Sequence, residues 1–449
     1  MRDREGKVKM RPTRRTFLAA GAPVCAAAAA VQATAGPRPA QLGGPKARIE
    51  PFPHWPQYDA AEERALLDTL RSGNWFRGSG GNVKRFEAAY ASLTGARQAL
   101  ATANGTAALT VALNALGVEP GDEVIVPPYT FIATINVVLR QYALPVFVDT
   151  DPETFQMDHR LVASAITPGT RALMPVHLGG NVCQMDSLLE IARRRGLPLI
   201  EDACQAHLAE WKGRKVGTLG QAGCFSFQAS KNLNSGEGGA ILFQDEALRE
   251  RAYAFHNNGS GLKMIGSNFS YASSGANLRL TEFQAALLLA QMKRLEQQAR
   301  TRSENGAYLT TLLKQIPGVA PAAMYPGCTN NAYHLYMFRY SPEAFAGLPR
   351  EKFLQALKLE GVPASGGYRP LNTQPFLKQA VASRGFQRLF SAQRLKDWEE
   401  RNRCPANDAL CEQAVWLTQN MLLGPKADME QIADAVRKIS RHASELARA

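Results

Sequence analysis

Lys231 lies in the run Phe225-Ser226-Phe227-Gln228-Ala229-Ser230-Lys231-Asn232-Leu233-Asn234-Ser235-Gly236-Glu237-Gly238-Gly239. A lysine on a short strand-to-loop segment, ahead of a Gly-rich turn, can be fixed at one point of a buried cleft. A desolvated amine placed there can form a Schiff base with an aldehyde cofactor. The plain alternative is a surface lysine beside a flexible turn.

Other segments carry complementary chemistry. Asn104-Gly105-Thr106 falls between an expected strand and an expected helix. Free N–H groups and the positive dipole end of a helix N-terminus suit a phosphate, and Thr106 adds a hydroxyl. An ordinary N-cap by Asn104 or Thr106 is the alternative. Glu201-Asp202-Ala203-Cys204-Gln205-Ala206-His207 begins at the C-terminal end of an expected strand, where open α/β sheets place their ligands. Asp202 can pair with a protonated pyridine nitrogen and so keep the ring an electron sink. A strand-end carboxylate that caps a helix reads the same way in sequence. Glu201, one residue earlier, points to the opposite face of the strand. Ser226, five residues before Lys231, can donate to a phosphate or be a plain sheet serine. Phe131 follows Pro127-Pro128-Tyr129-Thr130 past another strand end. It can stack on a flat ring or belong to the core.

These residues need a scaffold that brings several strand ends together. The periodicity predicts helices over 59–70 and 83–93, with Trp75 and Phe76 in the loop between them. Strands are expected at 99–102, 123–126, 145–148, 172–176, 198–201, 224–227 and 240–243. Helices are expected at 106–116, 131–141 and 185–194. Short apolar runs alternating with amphipathic helices predict an α/β domain with a mostly parallel sheet. A long helical stretch over 280–316 leads into a smaller C-terminal α+β domain, which closes on a helix over 428–443. The expected partition is a targeting segment at 1–35, a linker or arm at 36–57, a large domain at 58–316 and a small domain at 317–449.

The chain has 449 residues, 45% of them hydrophobic, enough for a sizeable core. Its net charge is +13. Residues 1–35 hold seven basic and two acidic side chains, so the remainder is only mildly basic. That suits an anionic ligand. No basic stripe with interleaved aromatics points to nucleic acid. Thr13-Arg14-Arg15-Thr16-Phe17-Leu18, an Ala-rich apolar stretch and Ala33-Thr34-Ala35 read as a cleavable twin-arginine export signal. The expected location is therefore the periplasm, or the cytoplasm if the signal is unused. The apolar run is too short for a stable membrane span. Beyond the signal, six cysteines show no CxxC pair and no metal spacing. Cys404 and Cys411 are near enough in sequence for a disulfide, and a reduced pair is the equal alternative.

The order phosphate turn, aromatic, strand-end acid, then Ser and Lys before a GEGG turn resembles the DegT/DnrJ/StrS family of aminotransferases. Gly121-Asp122-Glu123-Val124-Ile125-Val126-Pro127, Pro175-Val176-His177-Leu178-Gly179-Gly180 and Asn277-Leu278-Arg279-Leu280-Thr281-Glu282 add to the resemblance. It implies a fold-type I enzyme that uses pyridoxal 5′-phosphate (PLP) to aminate cyclic ketones. It implies Lys231 as the Schiff-base lysine and proton shuttle, and Asp202 on the pyridine nitrogen. Gln205 then meets the ring hydroxyl, Phe131 the ring face, and Gly105, Thr106 and Ser226 the phosphate. Asn277, with Arg279, would reach the cofactor of the neighbouring subunit in a homodimer. An amino acid, glutamate or glutamine, is the implied amino donor, and a keto sugar or keto-cyclitol the acceptor. Gly361-Val362-Pro363-Ala364-Ser365-Gly366-Gly367-Tyr368-Arg369-Pro370-Leu371 departs from the commonest sugar-enzyme pattern. It looks more like the branch acting on cyclitols and amino-hydroxybenzoate precursors. Tyr368, Arg369 and Trp75 are the expected substrate-side residues. His177 and His207 are expected to be hydrogen-bonded structural histidines.

Two other readings compete. A sugar dehydratase of the same fold would, by the family's pattern, carry histidine in place of Lys231. An exported binding protein with a decayed site would not need the motif residues intact.

Overall fold

The computed structural model describes residues 37–261 and 271–449. The expected export signal lies outside the described residues. Residues 37–449 form one compact unit.

Seven strands build the central sheet. They are β1 (Gln98–Thr102), β2 (Glu123–Val126), β3 (Leu144–Phe147), β4 (Thr170–Leu173), β5 (Ile200–Asp202), β6 (Ala222–Ser226) and β7 (Gly239–Phe243). One ladder runs β3-β2-β4 and the other β5-β6-β7-β1. Parallel bridges at Leu173–Leu199 and Val176–Asp202 join them. Only β7 is antiparallel to its neighbours, pairing β6 on one side and β1 on the other. Every residue of β2, β3, β5, β6 and β7 is buried, as expected of strands covered by helices on both faces. The sequence expectation of a mostly parallel α/β sheet agrees with this.

Helices Gly105–Ala115, Ala133–Arg140, Met185–Arg195 and Glu246–His256 flank the sheet. The last of these escapes periodicity, because charged residues interrupt its apolar face. The long helix is Glu282–Leu313, opened by a capping box between Thr281 and Gln284. A second sheet, β8 (Val319–Pro321), β9 (Leu335–Tyr340) and β10 (Ala414–Thr418), is antiparallel throughout. Its core includes Phe338, Phe345, Phe353, Val415 and Ile432, with Leu309 and Leu313 from the long helix. Residues 375–404 behave differently. Leu377, Phe386, Phe390 and Trp398 pack with Val138 and Phe147 beside the central sheet.

The N-terminal arm is docked through one buried carboxylate. Glu360 accepts from Ala40 N, Ala47 N and Lys438 Nζ, each at 2.7 Å. Both side chains of the Glu360–Lys438 pair are almost fully buried. Removing one partner leaves an uncompensated charge in the interior. Glu360→Ala is therefore expected to cost about 3–5 kcal/mol of stability, measured by urea denaturation. The double substitution Glu360→Leu with Lys438→Met is expected to cost less than the single change.

Candidate active site

Strands β1, β2, β5 and β6 all run toward the same edge of the sheet. The turns that leave them carry most of the residues singled out in the sequence. Thr102, which ends β1, pairs with Gly239 at the start of β7. Asn104 then caps helix Gly105–Ala115, its side chain accepting from Ala107 N at 2.8 Å. Capping and anion binding are thus compatible here. The cap uses the third helical amide, and among the described residues the N–H groups of Gly105 and Thr106 have no hydrogen-bond partner. A Cβ on Gly105 would lie 2.7 Å from Ser226 Cβ and 3.1 Å from Cys204 Sγ. Only glycine lets the β1 turn, the β6 end and the segment after β5 approach this closely.

Asp202 is buried at the end of β5. Its Oδ2 accepts from Thr134 Oγ1 at 2.9 Å, and its Oδ1 from Cys204 N at 3.2 Å. Thr134 also meets Thr130 at 2.8 Å, which ties the turn after β2 to the acid. Each carboxylate oxygen keeps a lone pair for a further donor. Phe131, on that turn, is 55% exposed, which excludes a core role. Glu201 faces the other way, as strand alternation requires. It accepts from Gly217, Leu219 and Gly220 N–H groups and contacts His177 Nε2 at 3.1 Å.

Lys231 follows β6 on a loop held at several points. Its N–H donates to Gln228 O at 2.8 Å, and Asn232 Nδ2 donates to Ala332 O at 2.8 Å. Trp55, from the N-terminal arm, donates to Ala229 O at 3.0 Å. Burial lowers the pKa of the Lys231 amine below the ordinary lysine value, while Cys204 and Asp202 pull it back up in part. Among the described residues, no hydrogen bond or salt bridge engages Nζ. The amine is thus less protonated than a surface lysine, with Asp202 in electrostatic reach.

Gln205 sits between two elements. Its Oε1 accepts from Gly179 N at 2.7 Å and its Nε2 donates to Tyr368 Oη at 3.1 Å. His207 is stacked on Phe227 and half-tilted on Phe225. Its Nε2 reaches Ser226 O at 2.9 Å, and Nδ1 reaches Tyr90 Oη at 3.2 Å. Burial pushes its pKa down to about 3, so it stays neutral. His177 is hydrogen-bonded to Glu201 and Cys183 N. Both histidines sit in fully bonded structural positions.

The remaining candidates lie apart. Arg279 bridges to Thr102, donates to Asn257 Oδ1 at 3.0 Å and lies over the Phe76 ring. Asn277 is exposed and pairs through its backbone with Asn257. Trp75 is half exposed, donates to Leu70 O and packs on Phe283. None of these contacts belongs to the Lys231 cluster. Arg369 is exposed. Sequence reasoning missed Thr134, Gly179 and His334. His334 contacts Asn232 Oδ1 at 3.3 Å and is kept neutral by burial and by the Lys231 charge. No local signal marks it, because it comes from the distant start of β9. Thr134 was legible in principle, as the residue one turn after Thr130 at a strand end.

The comparisons with known proteins identify the family and the fold. Residues 56–437 match the model of the DegT/DnrJ/EryC1/StrS aminotransferase family. The chain is 37% identical to 3-amino-5-hydroxybenzoate synthase of Amycolatopsis mediterranei, over 86% of this chain and 98% of that protein. It is 38% identical to L-glutamine:2-deoxy-scyllo-inosose aminotransferase of Streptoalloteichus tenebrarius, over 90% and 97% of the two chains. The crystal structure of 3-amino-5-hydroxybenzoic acid synthase superposes with a TM-score of 0.78 at 36% identity, covering 90% of this chain and all of that one. The match over residues 56–437 and the relatives 37–38% identical over most of both chains place the chain in the DegT/DnrJ/EryC1/StrS aminotransferase family.

Proposed function

We propose that this aminotransferase uses PLP to move the amino group of glutamine, or glutamate, onto a cyclic ketone of the cyclitol or aminohydroxybenzoate-precursor class. The observation that carries this reading is the half-buried, unpaired Lys231 amine, desolvated and under the electrostatic influence of the Asp202 carboxylate. The residues fit the cofactor. The space that a Cβ on Gly105 would fill adjoins Ser226 Oγ, 3.2 Å away, and the free helix N–H groups lie beside it. When bound, PLP supplies an electron sink for charge developing at the amine-bearing carbon.

Each residue then has a task. The Lys231 amine, its pKa lowered by desolvation, would hold the cofactor covalently and serve as the site's proton carrier. Asp202, held by Thr134 and Cys204 N, keeps a proton on the pyridine nitrogen. Gly105, Thr106 and Ser226 hold the phosphate, and Phe131 covers the ring. Tyr368, which packs edge-on against Trp416 at 4.6 Å, offers an aromatic wall suited to the C–H face of a hydroxylated ring. Arg369 and Trp75 are assigned to the substrate side. The acceptor class and the glutamine donor are those of the 3-amino-5-hydroxybenzoate synthase and 2-deoxy-scyllo-inosose aminotransferase relatives.

Two further statements complete the proposal. The enzyme is a homodimer in which Asn277 and Arg279 reach the partner's cofactor. Leu66, Leu67, Leu70, Trp75 and Phe76 form a run of exposed apolar side chains that a second copy would cover. The chain is exported by the twin-arginine route, which carries folded protein with its cofactor in place.

The purified protein is expected to be yellow, with a visible band that borohydride fixes onto Lys231. Glutamine should bleach the band, and Lys231→Ala should abolish it. Band formation by the apoprotein should rise with pH through a midpoint below the ordinary lysine value, because the deprotonated amine is the reacting form. Asp202→Ala should lower turnover by roughly 10²-fold or more. A colourless protein sinks the reading. Light scattering should give twice the chain mass, and Leu70→Glu should shift it toward the monomer; a monomeric wild type sinks the dimer. Replacing Arg14 and Arg15 by lysine should retain the protein in the cytoplasm on cell fractionation. Unchanged distribution rejects the export route.

A further inference from the structure

Two contacts determine which way the Gln205 amide faces. A backbone N–H can only donate, so the Gly179 N–H at 2.7 Å identifies the facing atom as oxygen. The amide nitrogen therefore faces Tyr368 Oη at 3.1 Å. One Nε2–H is used there, and the second has no partner among the described residues. Gly179 cannot drift to release this lock. It adopts φ +65°, and a Cβ there would lie 2.6 Å from Met337 Cε.

Tyr368 is braced in turn. Ser365 and Trp416 exchange backbone hydrogen bonds at 3.1 and 2.8 Å. The Arg350 guanidinium donates to Gly366 O at 3.0 Å and Ala414 O at 3.1 Å. Gly367 adopts φ +78°, and a Cβ there would lie 2.6 Å from Tyr129 Oη. The Tyr368 ring stands edge-on to Trp416 and to Tyr129, 4.6 and 5.7 Å between centroids. The hydroxyl that receives the Gln205 N–H is thus held by the substrate-side loop itself.

We propose that Tyr368 is a positioning residue: it orients the Gln205 amide so that its remaining N–H serves the phenolic oxygen of the cofactor. The 361–371 loop then sets the protonation of the Lys231–cofactor bond. This inference rests on the PLP reading above. The phenolic oxygen and the imine nitrogen compete for one proton. A donor on the oxygen stabilises the phenolate by itself, so the nitrogen gives up its proton at lower pH. Without the Tyr368 hydroxyl the amide is held at one end only, its donation weakens, and the nitrogen keeps its proton to higher pH. Substrate that displaces the Tyr368 side chain would act on the cofactor by the same route.

The test is a pH titration of the visible band of the holoenzyme, in wild type, Tyr368→Phe, Gln205→Ala and the double variant. Tyr368→Phe is expected to raise the midpoint by about one unit, the size of one aligned hydrogen bond. The double variant is expected to match Gln205→Ala alone, because Tyr368 acts through Gln205. An unmoved midpoint, a downward shift, or a double variant showing the sum of the two shifts overturns the proposal. Should Tyr368→Phe fail to give a folded circular-dichroism spectrum, Tyr368→Leu removes the same hydroxyl and is read by the same criteria. A wild type without a visible band removes the PLP reading, and this inference with it, before any variant is compared.

Discussion

Desolvation of one amine organises this structure. Lys231 is half-buried, and no partner among the described residues neutralises it by a direct ion pair. Desolvation disfavours the charged form, so the amine's pKa lies below the ordinary lysine value. Two neighbours oppose that effect: Cys204 and Asp202, the latter also accepting from Thr134 and Cys204 N, favour the charged amine. His207 and His334 are kept neutral mainly by burial, and the Lys231 charge acts in the same direction. The loop carrying Lys231 is anchored by Trp55, Asn232 and Gln228, which fixes the backbone from which the amine extends.

The sheet makes this arrangement possible by placing strand ends side by side. β5 and β6 are parallel neighbours, so Asp202 and Ser226 emerge at one edge. The antiparallel β7 then returns the chain past β1, which sets the Asn104-Gly105-Thr106 turn against Ser226. Small side chains decide how close these turns come. A methyl group on Gly105 would meet Ser226 Cβ at 2.7 Å, so an alanine there would push the helix start away from the β6 end.

Much of this was legible in residue order. The seven strands, the buried strand-end acid and the lysine before a GEGG turn follow from apolar periodicity and turn chemistry. The twofold alternation of a strand correctly sent Glu201 and Asp202 to opposite faces. Periodicity failed where charge masked the apolar face, as in Glu246–His256, and where short helices pack individually, as across 375–404. His334, Gly179 and Tyr368 meet the site from far along the chain, and sequence spacing carries no information on such contacts.

Sequence by itself determined the chemical inventory and the local elements, because a lysine before a Gly-rich turn, a strand-end carboxylate and an Asn-Gly-Thr helix start are defined by residue type and near neighbours. It also determined the family, through motif order. Tertiary structure decided which groups are free to react. Partial desolvation lowers the Lys231 pKa, the Gly179 N–H orients the Gln205 amide, and Arg350 braces the loop that presents Tyr368. Those outcomes depend on desolvation and on hydrogen bonds between distant segments, and both exist only once the chain has folded.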